Sequence, residues 1–311
     1  MSISHAAYRF LWNRRWIPRA FKRHCYKRLA KRGVPVDIDF IQDFFGIRYR
    51  GNLNNNIDFN IYFYGAFEKP LLFFLRDTLQ AIASPRPVFI DVGANVGQHS
   101  LFMAAHGAQV HAFEPFGLVR DQLQRQIEEN QLDNITLHPL GLGNDNTRLP
   151  FYAPTGSNAG IGSFDAGSTS KGNVRAGDLA LARGDDYFPQ QGIDRIDLVK
   201  IDVEGFEKFA LQGLRECLRR TRPVIVCEVT LGGPLSFSSL EELRGHLPDN
   251  YQLFTFDKRK ADGSKARRRN AGSRHTGQYR IVPCSQLPDT GQDDVIAWPR
   301  EKAALMPLSN D

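Results

Sequence analysis

The stretch Val88-Phe-Ile-Asp-Val-Gly-Ala-Asn-Val-Gly-Gln-His-Ser100 constrains the fold more than any other part of the chain. An apolar run, Val88 to Ile90, ends on Asp91 and turns through Gly93, Asn95 and Gly97. Ser100-Leu-Phe-Met-Ala-Ala105 then has a helical composition. A buried strand that passes through a glycine turn into a helix opens a nucleotide-type binding unit. Twenty-three residues after Asp91, Val110-His-Ala-Phe-Glu114 predicts a second strand that ends in a carboxylate. A carboxylate at that place can hold a ribose through both hydroxyls.

The loop is poorly suited to phosphate. A dinucleotide site wants Gly-x-Gly-x-x-Gly with the pyrophosphate at the helix N-terminus. Here Asn95 takes the middle position, Gln98 stands where a glycine is wanted, and there is no P-loop lysine. S-adenosylmethionine has no phosphate. It carries an amino-acid end, a sulfonium cation and a ribose. Asp91 is expected at the amino-acid end, and Gly93 and Gly97 let the backbone approach it. Glu114 is expected to accept from the ribose hydroxyls.

Asp197-Leu-Val-Lys-Ile-Asp-Val-Glu-Gly-Phe-Glu207 predicts another buried strand, ending at Asp202 with Glu204 and Glu207 just beyond. Ligands of doubly wound sheets lie outside the carboxyl ends of the strands. These acids are therefore placed to deprotonate a hydroxyl, or to bind a metal that does so. A helix start rich in acids has the same composition, because its dipole favours them. Asp202 and Glu204 are the first choices for the proton acceptor. His99 is the second and His275 the third. No set of metal ligands is assigned.

From 87 to 230 strands and helices alternate, the pattern of a parallel sheet. Strands are expected near 88–91, 109–113, 135–140, 196–201 and 223–228, then at 251–256 and 294–298. Leu118–Asn130 is expected as a helix. Ile57-Asp-Phe-Asn-Ile-Tyr-Phe63 alternates and predicts a strand. Pro70–Leu79 reads as a buried helix. Residues 151–178, polar and glycine-rich, are expected to form a substrate loop. The division is a basic extension over 1–35, a lead-in over 36–86 and the binding domain over 87–300.

The net charge of +6 over 311 residues is unevenly spread. Residues 1–32 hold ten Lys or Arg and no acid, so the remainder carries +6 − 10 = −4. Residues 5–32 read as a helix, with Ile17, Phe21, Cys25 and Leu29 as one apolar stripe among cations. Trp12 and Trp16 suit an interfacial anchor. This composition serves a helix on an anionic membrane face, or a basic helix packed on the body. A second basic run spans Lys258 to Arg280. The four cysteines make no Cys-x-x-Cys and are expected as reduced thiols. No run approaches the roughly 18 apolar residues of a membrane span, and the N-terminus lacks a signal-peptide core. A cytoplasmic protein is expected, and the membrane alternative would place it peripherally at the inner membrane face.

At these residues the chain resembles the FkbM family of S-adenosylmethionine-dependent methyltransferases. The matching pieces are Asp91-Val-Gly-Ala-Asn-Val-Gly97, Ala112-Phe-Glu-Pro115, Leu132-Asp-Asn-Ile-Thr136, Gly141-Leu-Gly-Asn144 and Val199-Lys-Ile-Asp-Val-Glu-Gly205. Pro223-Val-Ile-Val-Cys-Glu228 and Val295-Ile-Ala-Trp298 also fit. The resemblance implies the α/β class I methyltransferase fold. This is a Rossmann-like, mostly parallel seven-stranded sheet with helices on both faces and the last strand antiparallel. It implies S-adenosylmethionine as cofactor and O-methylation of a sugar, glycolipid or other small metabolite. Asp91, Gly93, Asn95 and Gly97 would line the methionine end and Glu114 the ribose. Pro115, Phe116, Leu142 and Gly143 would border the adenine. Asp202-Val-Glu-Gly205 would face the acceptor. The basic tracts keep two other readings open: methylation of nucleic acid, and a non-catalytic scaffold that binds membranes or anions. Against the first, the Asn/Asp-Pro-Pro-aromatic tetrad common in base methylation is replaced here by Asp202-Val-Glu-Gly205.

Overall fold

The computed structural model describes residues 12, 14, 16–31, 37–82, 84–155, 162–231, 235–257, 273–287 and 291–310. The expectations for residues 1–11 and for the arginine run 267–269 lie outside them. The N-terminal part holds helix α1 (Arg19–Lys31), the antiparallel hairpin β1 (Asp39–Phe44) and β2 (Ile47–Asn52), and helices α2 (Asn56–Tyr64) and α3 (Lys69–Ile82).

The helix α2 corrects the strand expected over 57–63. Alternating apolar residues suggested a half-buried strand, but the local chemistry specifies a helix. The Asn55 side chain accepts from the backbone N–H of Ile57 and Asp58, and Gly65 closes the helix in the left-handed conformation at φ 88°. Polar residues in the pattern are buried as well. Asp58 is fully enclosed, accepting from the Tyr49 hydroxyl at 2.6 Å and from the Asn52 N–H at 2.8 Å.

The main sheet uses β3 (Val88–Val92), β4 (Gln109–Phe113), β5 (Ile135–His138), β9 (Leu198–Ile201), β10 (Val224–Leu231), β11 (Tyr251–Phe256), β12 (Ile281–Pro283) and β13 (Gly291–Pro299). Their order is β12-β11-β13-β10-β9-β3-β4-β5. Strands β10, β9, β3, β4 and β5 run parallel, and β13 lies antiparallel between β10 and β11. The sheet therefore has eight strands where seven were expected. The extra one, β12, pairs Ile281, Val282 and Pro283 with the outer edge of β11. Three residues are too few to show a period, and the proline is tolerated because this is an edge strand.

Residues 151–178 are only partly a loop, and Phe151, Gly162 and Phe164 among them line the cavity described below. Their two ends, 151–154 and 173–178, belong to a separate three-stranded sheet, β6 (Gly141–Gly143), β8 (Asn173–Arg183) and β7 (Thr147–Pro154). Its polar composition reflects a sheet exposed on one face, not a free loop.

Two apolar clusters cover the faces of the main sheet. One joins Phe44, Tyr49, Phe74, Phe102 and Trp298 under the N-terminal helices. The other gathers Ile90, Val199, Leu211, Leu218 and Ile225. Helix α1 packs on α2, with Tyr26 against Phe59 at 4.5 Å; Trp12, ahead of α1, meets Phe63 edge-on at 6.4 Å, and Lys22 Nζ donates to the Trp12 carbonyl at 2.7 Å. Ile17 and Leu29 are buried, whereas Phe21 is 53% exposed and drops out of the expected stripe. Trp16 is 78% exposed. All four cysteines are free thiols. Among the described residues no helix is long and apolar enough to cross a membrane.

Candidate functional site

Strand order reverses at β3, which has β4 on one side and β9 on the other. A cavity of about 230 Å³ opens at the carboxyl ends of these strands. The backbone there is built for close approach. Gly93 has φ 82°, and a methyl group on it would collide with the Asp202 carbonyl oxygen. The N–H groups of Gly93 and Ala94 both donate to the Phe113 carbonyl at 3.0 Å, tying the loop to the end of β4. Three non-glycine residues of the wall hold left-handed backbone: Glu68 at φ 45°, Asn95 at φ 54° and Glu204 at φ 51°. Such strain costs about 1–3 kcal/mol per residue and gathers at functional sites.

Glu114 follows β4 directly and faces the cavity. Its Oε2 accepts from Asn95 N–H and its Oε1 from Phe116 N–H, both at 2.8 Å. Burial pushes its carboxyl up to about 7, against the pull of those two N–H groups. Pro115 and Phe116 line the neighbouring wall with Val119. Phe116 stands 5.1 Å from the Phe151 ring of β7, and Phe151 stands 5.3 Å from Phe164. The flat apolar slot between Glu114 and these rings has the chemistry of a nucleoside site.

The opposite end is acidic. Carboxylate oxygens of Asp202, Glu204 and Glu228 lie within 4.8 Å of one another. Glu68 adds a further carboxylate to the wall. Burial, and then the charges of Asp202, Asp294, Glu68 and Glu204, push the Glu228 carboxyl far above its usual range. Asp202 Oδ2 accepts from Lys200 Nζ at 2.9 Å, and Glu204 Oε2 accepts from Gln292 Nε2 at 3.1 Å. The cavity is lined by five carboxylates, including Glu114, and by no Lys, Arg or His among the described residues.

The residues expected from sequence fall into two groups. Gly93, Asn95, Glu114, Pro115, Phe116, Asp202 and Glu204 line this cavity. Asp91, Gly97, Leu142 and Gly143 do not. Asp91 is fully buried, accepts from the Ser100 hydroxyl at 2.6 Å and lies 3.9 Å from Lys200 Nζ. Gly97 holds φ 86° against Leu123, Leu142 sits in the apolar core, and Gly143 packs its carbonyl on Gly213. Glu207 leaves the acidic group: its Oε1 accepts from Gly205 N–H at 2.8 Å and steadies the turn after β9. His99 is buried behind the wall, 4.0 Å from Glu68 Oε2. Burial and Lys200 hold its imidazole well below its usual range. His275 lies on the surface against the Tyr64 ring at 4.9 Å.

Sequence reasoning missed Glu228, Glu68 and the turn at Asn55 to Ile57, all part of the wall. Glu228 carried a signal: a carboxylate inside the apolar run Val224-Ile-Val-Cys-Glu-Val229 is costly unless a site needs it. Glu68 carried none. It is fixed by Gln98, whose side chain accepts from Phe67 N–H at 2.6 Å and donates to the Phe67 carbonyl at 3.0 Å.

Residues 91–260 match the family model described as the methyltransferase FkbM domain. Methyltransferase sdnD of Sordaria araneosa is 32% identical over 159 residues, 42% of this chain and 61% of that protein. The 2-O-methyltransferase NoeI of Sinorhizobium fredii is 24% identical over 189 residues, 56% of this chain and 72% of its own. The solved methyltransferase FkbM of Methylobacillus flagellatus KT is 18% identical with a TM-score of 0.42, covering 68% of this chain and 44% of that one. The chain thus spans less than two thirds of sdnD and less than half of the solved structure.

Proposed function

Because the chain belongs to the methyltransferase FkbM family, we propose that it moves a methyl group from S-adenosylmethionine to a hydroxyl of a sugar, glycolipid or other small metabolite. One observation carries this reading: among the described residues the cavity is lined by five carboxyl groups and by no Lys, Arg or His. A pyrophosphate would be repelled there, whereas a sulfonium is attracted. The same field opposes nucleic acid, whose backbone is polyanionic.

The residues present fit the cofactor. Glu114 offers acceptors to the ribose, Phe116 and Phe151 flank the base, and Gly93 and Asn95 border the methionine end. When bound, the cofactor supplies an electrophilic methyl whose leaving group is a neutral thioether. The chain then has three tasks. The aromatic wall excludes water. The loop of Gly93 to Gly97 orients the reacting carbon, which gains more than any single contact. Asp202 or Glu204, beside Glu228, accepts the one proton that the hydroxyl loses as its oxygen is methylated. A placed base of this kind is worth about 10²–10⁴-fold. The name of NoeI, a 2-O-methyltransferase, supports oxygen as the acceptor atom. The basic residues of 1–32 support peripheral contact with an anionic membrane face.

Calorimetric titration with S-adenosylmethionine, followed by mass spectrometry of a cell extract incubated with methyl-labelled cofactor, tests the proposal. A labelled product heavier by one methylene is expected. No heat on titration would reject the enzyme and favour the scaffold reading.

A further inference from the structure

We infer that Arg23, Arg274 and the Tyr64 hydroxyl form a receptor for a phosphate-type oxyanion, at a site separate from the acidic cavity. Two basic tracts more than two hundred residues apart in sequence meet there. Arg23 comes from α1 and Arg274 from the segment that follows residues 258–272. Arg23 Cζ stands 5.6 Å from the centroid of the Tyr64 ring, and Arg274 Cζ stands 5.3 Å from the same centroid. Arg23 Nη1 also donates to the Tyr64 hydroxyl at 3.3 Å. Arg19 covers the adjacent Tyr62 at 5.6 Å, and Lys22 Nζ reaches the Tyr62 hydroxyl at 3.3 Å.

The convergence is held in place. Lys69 Nζ donates to the carbonyls of Tyr64 at 2.7 Å and His275 at 3.0 Å, clamping the two segments together. Gly277, at φ 78°, lies so close to Phe73 that a methyl group there would clash. Tyr279 anchors the following residue pair through Asp77 at 2.7 Å.

None of Arg19, Arg23 and Arg274 has a carboxylate partner among the described residues. Like charges gathered without a counter-charge cost free energy, and a bound oxyanion removes that cost. Guanidinium forks fit its geometry. Burial alone would raise the Tyr64 hydroxyl, yet Arg23 and Arg274 hold it below its ordinary value, which marks an electropositive spot. The receptor is also close to the chemistry: only Gly65 to Glu68 separates Tyr64 from α3, and Phe67 and Glu68 in that turn line the cavity. A molecule with a phosphate and a free hydroxyl would be oriented by the opposed fields of the two sites.

The inference does not depend on methyl transfer; its vesicle arm alone rests on the membrane reading above. The full chain and its Arg23→Gln/Arg274→Gln variant are titrated with inorganic pyrophosphate and, separately, sedimented with phosphatidylglycerol–phosphatidylcholine vesicles. S-adenosylmethionine titration of both proteins reports that the fold and the cavity are intact. The full chain is expected to bind at least one probe, and the variant to bind it at least about tenfold more weakly. Pyrophosphate binding assigns a soluble phosphate; binding to vesicles alone assigns a lipid headgroup. Failure of the full chain to bind either probe overturns the inference. So does a variant that binds as well as the parent. The exposed single change Arg274→Gln, expected to weaken binding alone, covers the case of a double variant that fails to fold.

Discussion

Lys200 and Asp202 stand two residues apart, and their side chains meet at 2.9 Å on one side of the strand end. Lys200 is 3% exposed and also faces the fully buried Asp91 at 3.9 Å. Against the cost of its burial, these two carboxylates hold the ammonium above its usual range. The loop after β3 and the turn after β9 are thus joined through one cation. Replacing Lys200→Met strands two carboxylates and is expected to cost about 3–5 kcal/mol. Urea unfolding checks this, and adding Asp91→Asn should restore part of the loss. Unchanged unfolding in Lys200→Met would show that the pair contributes little.

Glu114→Ala is expected to weaken S-adenosylmethionine binding by about 1.5–3 kcal/mol, the worth of a lost hydrogen bond to a charged group. Calorimetry decides. An unaltered dissociation constant removes the ribose contact.

The same residue sets a pH dependence. Its carboxyl is pushed up to about 7, and donors on the ribose favour the ionised form. Affinity is therefore expected to rise with pH towards 7 and to level off above it, by up to about tenfold per unit on the acid side. Glu114→Gln should flatten the profile. A flat profile in the parent protein contradicts the assignment.

Asp202→Asn is expected to lower turnover far more than cofactor affinity, because the proton is accepted only as the new bond forms. Kinetics and titration of one preparation separate the two effects. Parent-like turnover excludes Asp202 from the proton transfer.

Glu207 makes a stability claim. Burial raises its carboxyl from an ordinary 4.5 to about 7, against the pull of the Gly205 N–H. A raised folded-state value means the native state holds the proton more tightly. The stabilisation is complete below about pH 4.5 and is lost as pH rises to about 7. The loss is on the order of 3 kcal/mol. Glu207→Gln keeps an acceptor for the Gly205 N–H, so its urea midpoint should fall less between pH 5 and pH 7. Parallel curves for the two proteins would refute the coupling.

Much of this was written in local order along the chain. The strand–glycine–helix unit at 88–105, the carboxylate at 114 and the parallel core strands follow from apolar runs and spacing, which depend on near neighbours. The antiparallel last strand came from the family resemblance, and the register of β13 between β10 and β11 agrees with it. Helix α2 was misread because its apolar residues face several directions at once, burying Asp58 and Asn60 among them. The strand β12 and the sheet of β6, β7 and β8 depend on partners distant in sequence.

The sequence by itself determined the strand–turn–helix unit and the carboxylate at the end of the next strand, because a glycine turn, an apolar run and their spacing are all local facts. Tertiary structure alone decided which carboxylates face one another. It turned Glu207 inward as a turn brace, brought Glu68 and Glu228 to the wall, and set Arg23 beside Arg274. Charge acts through space over several ångströms, and the chain reports distance only along itself.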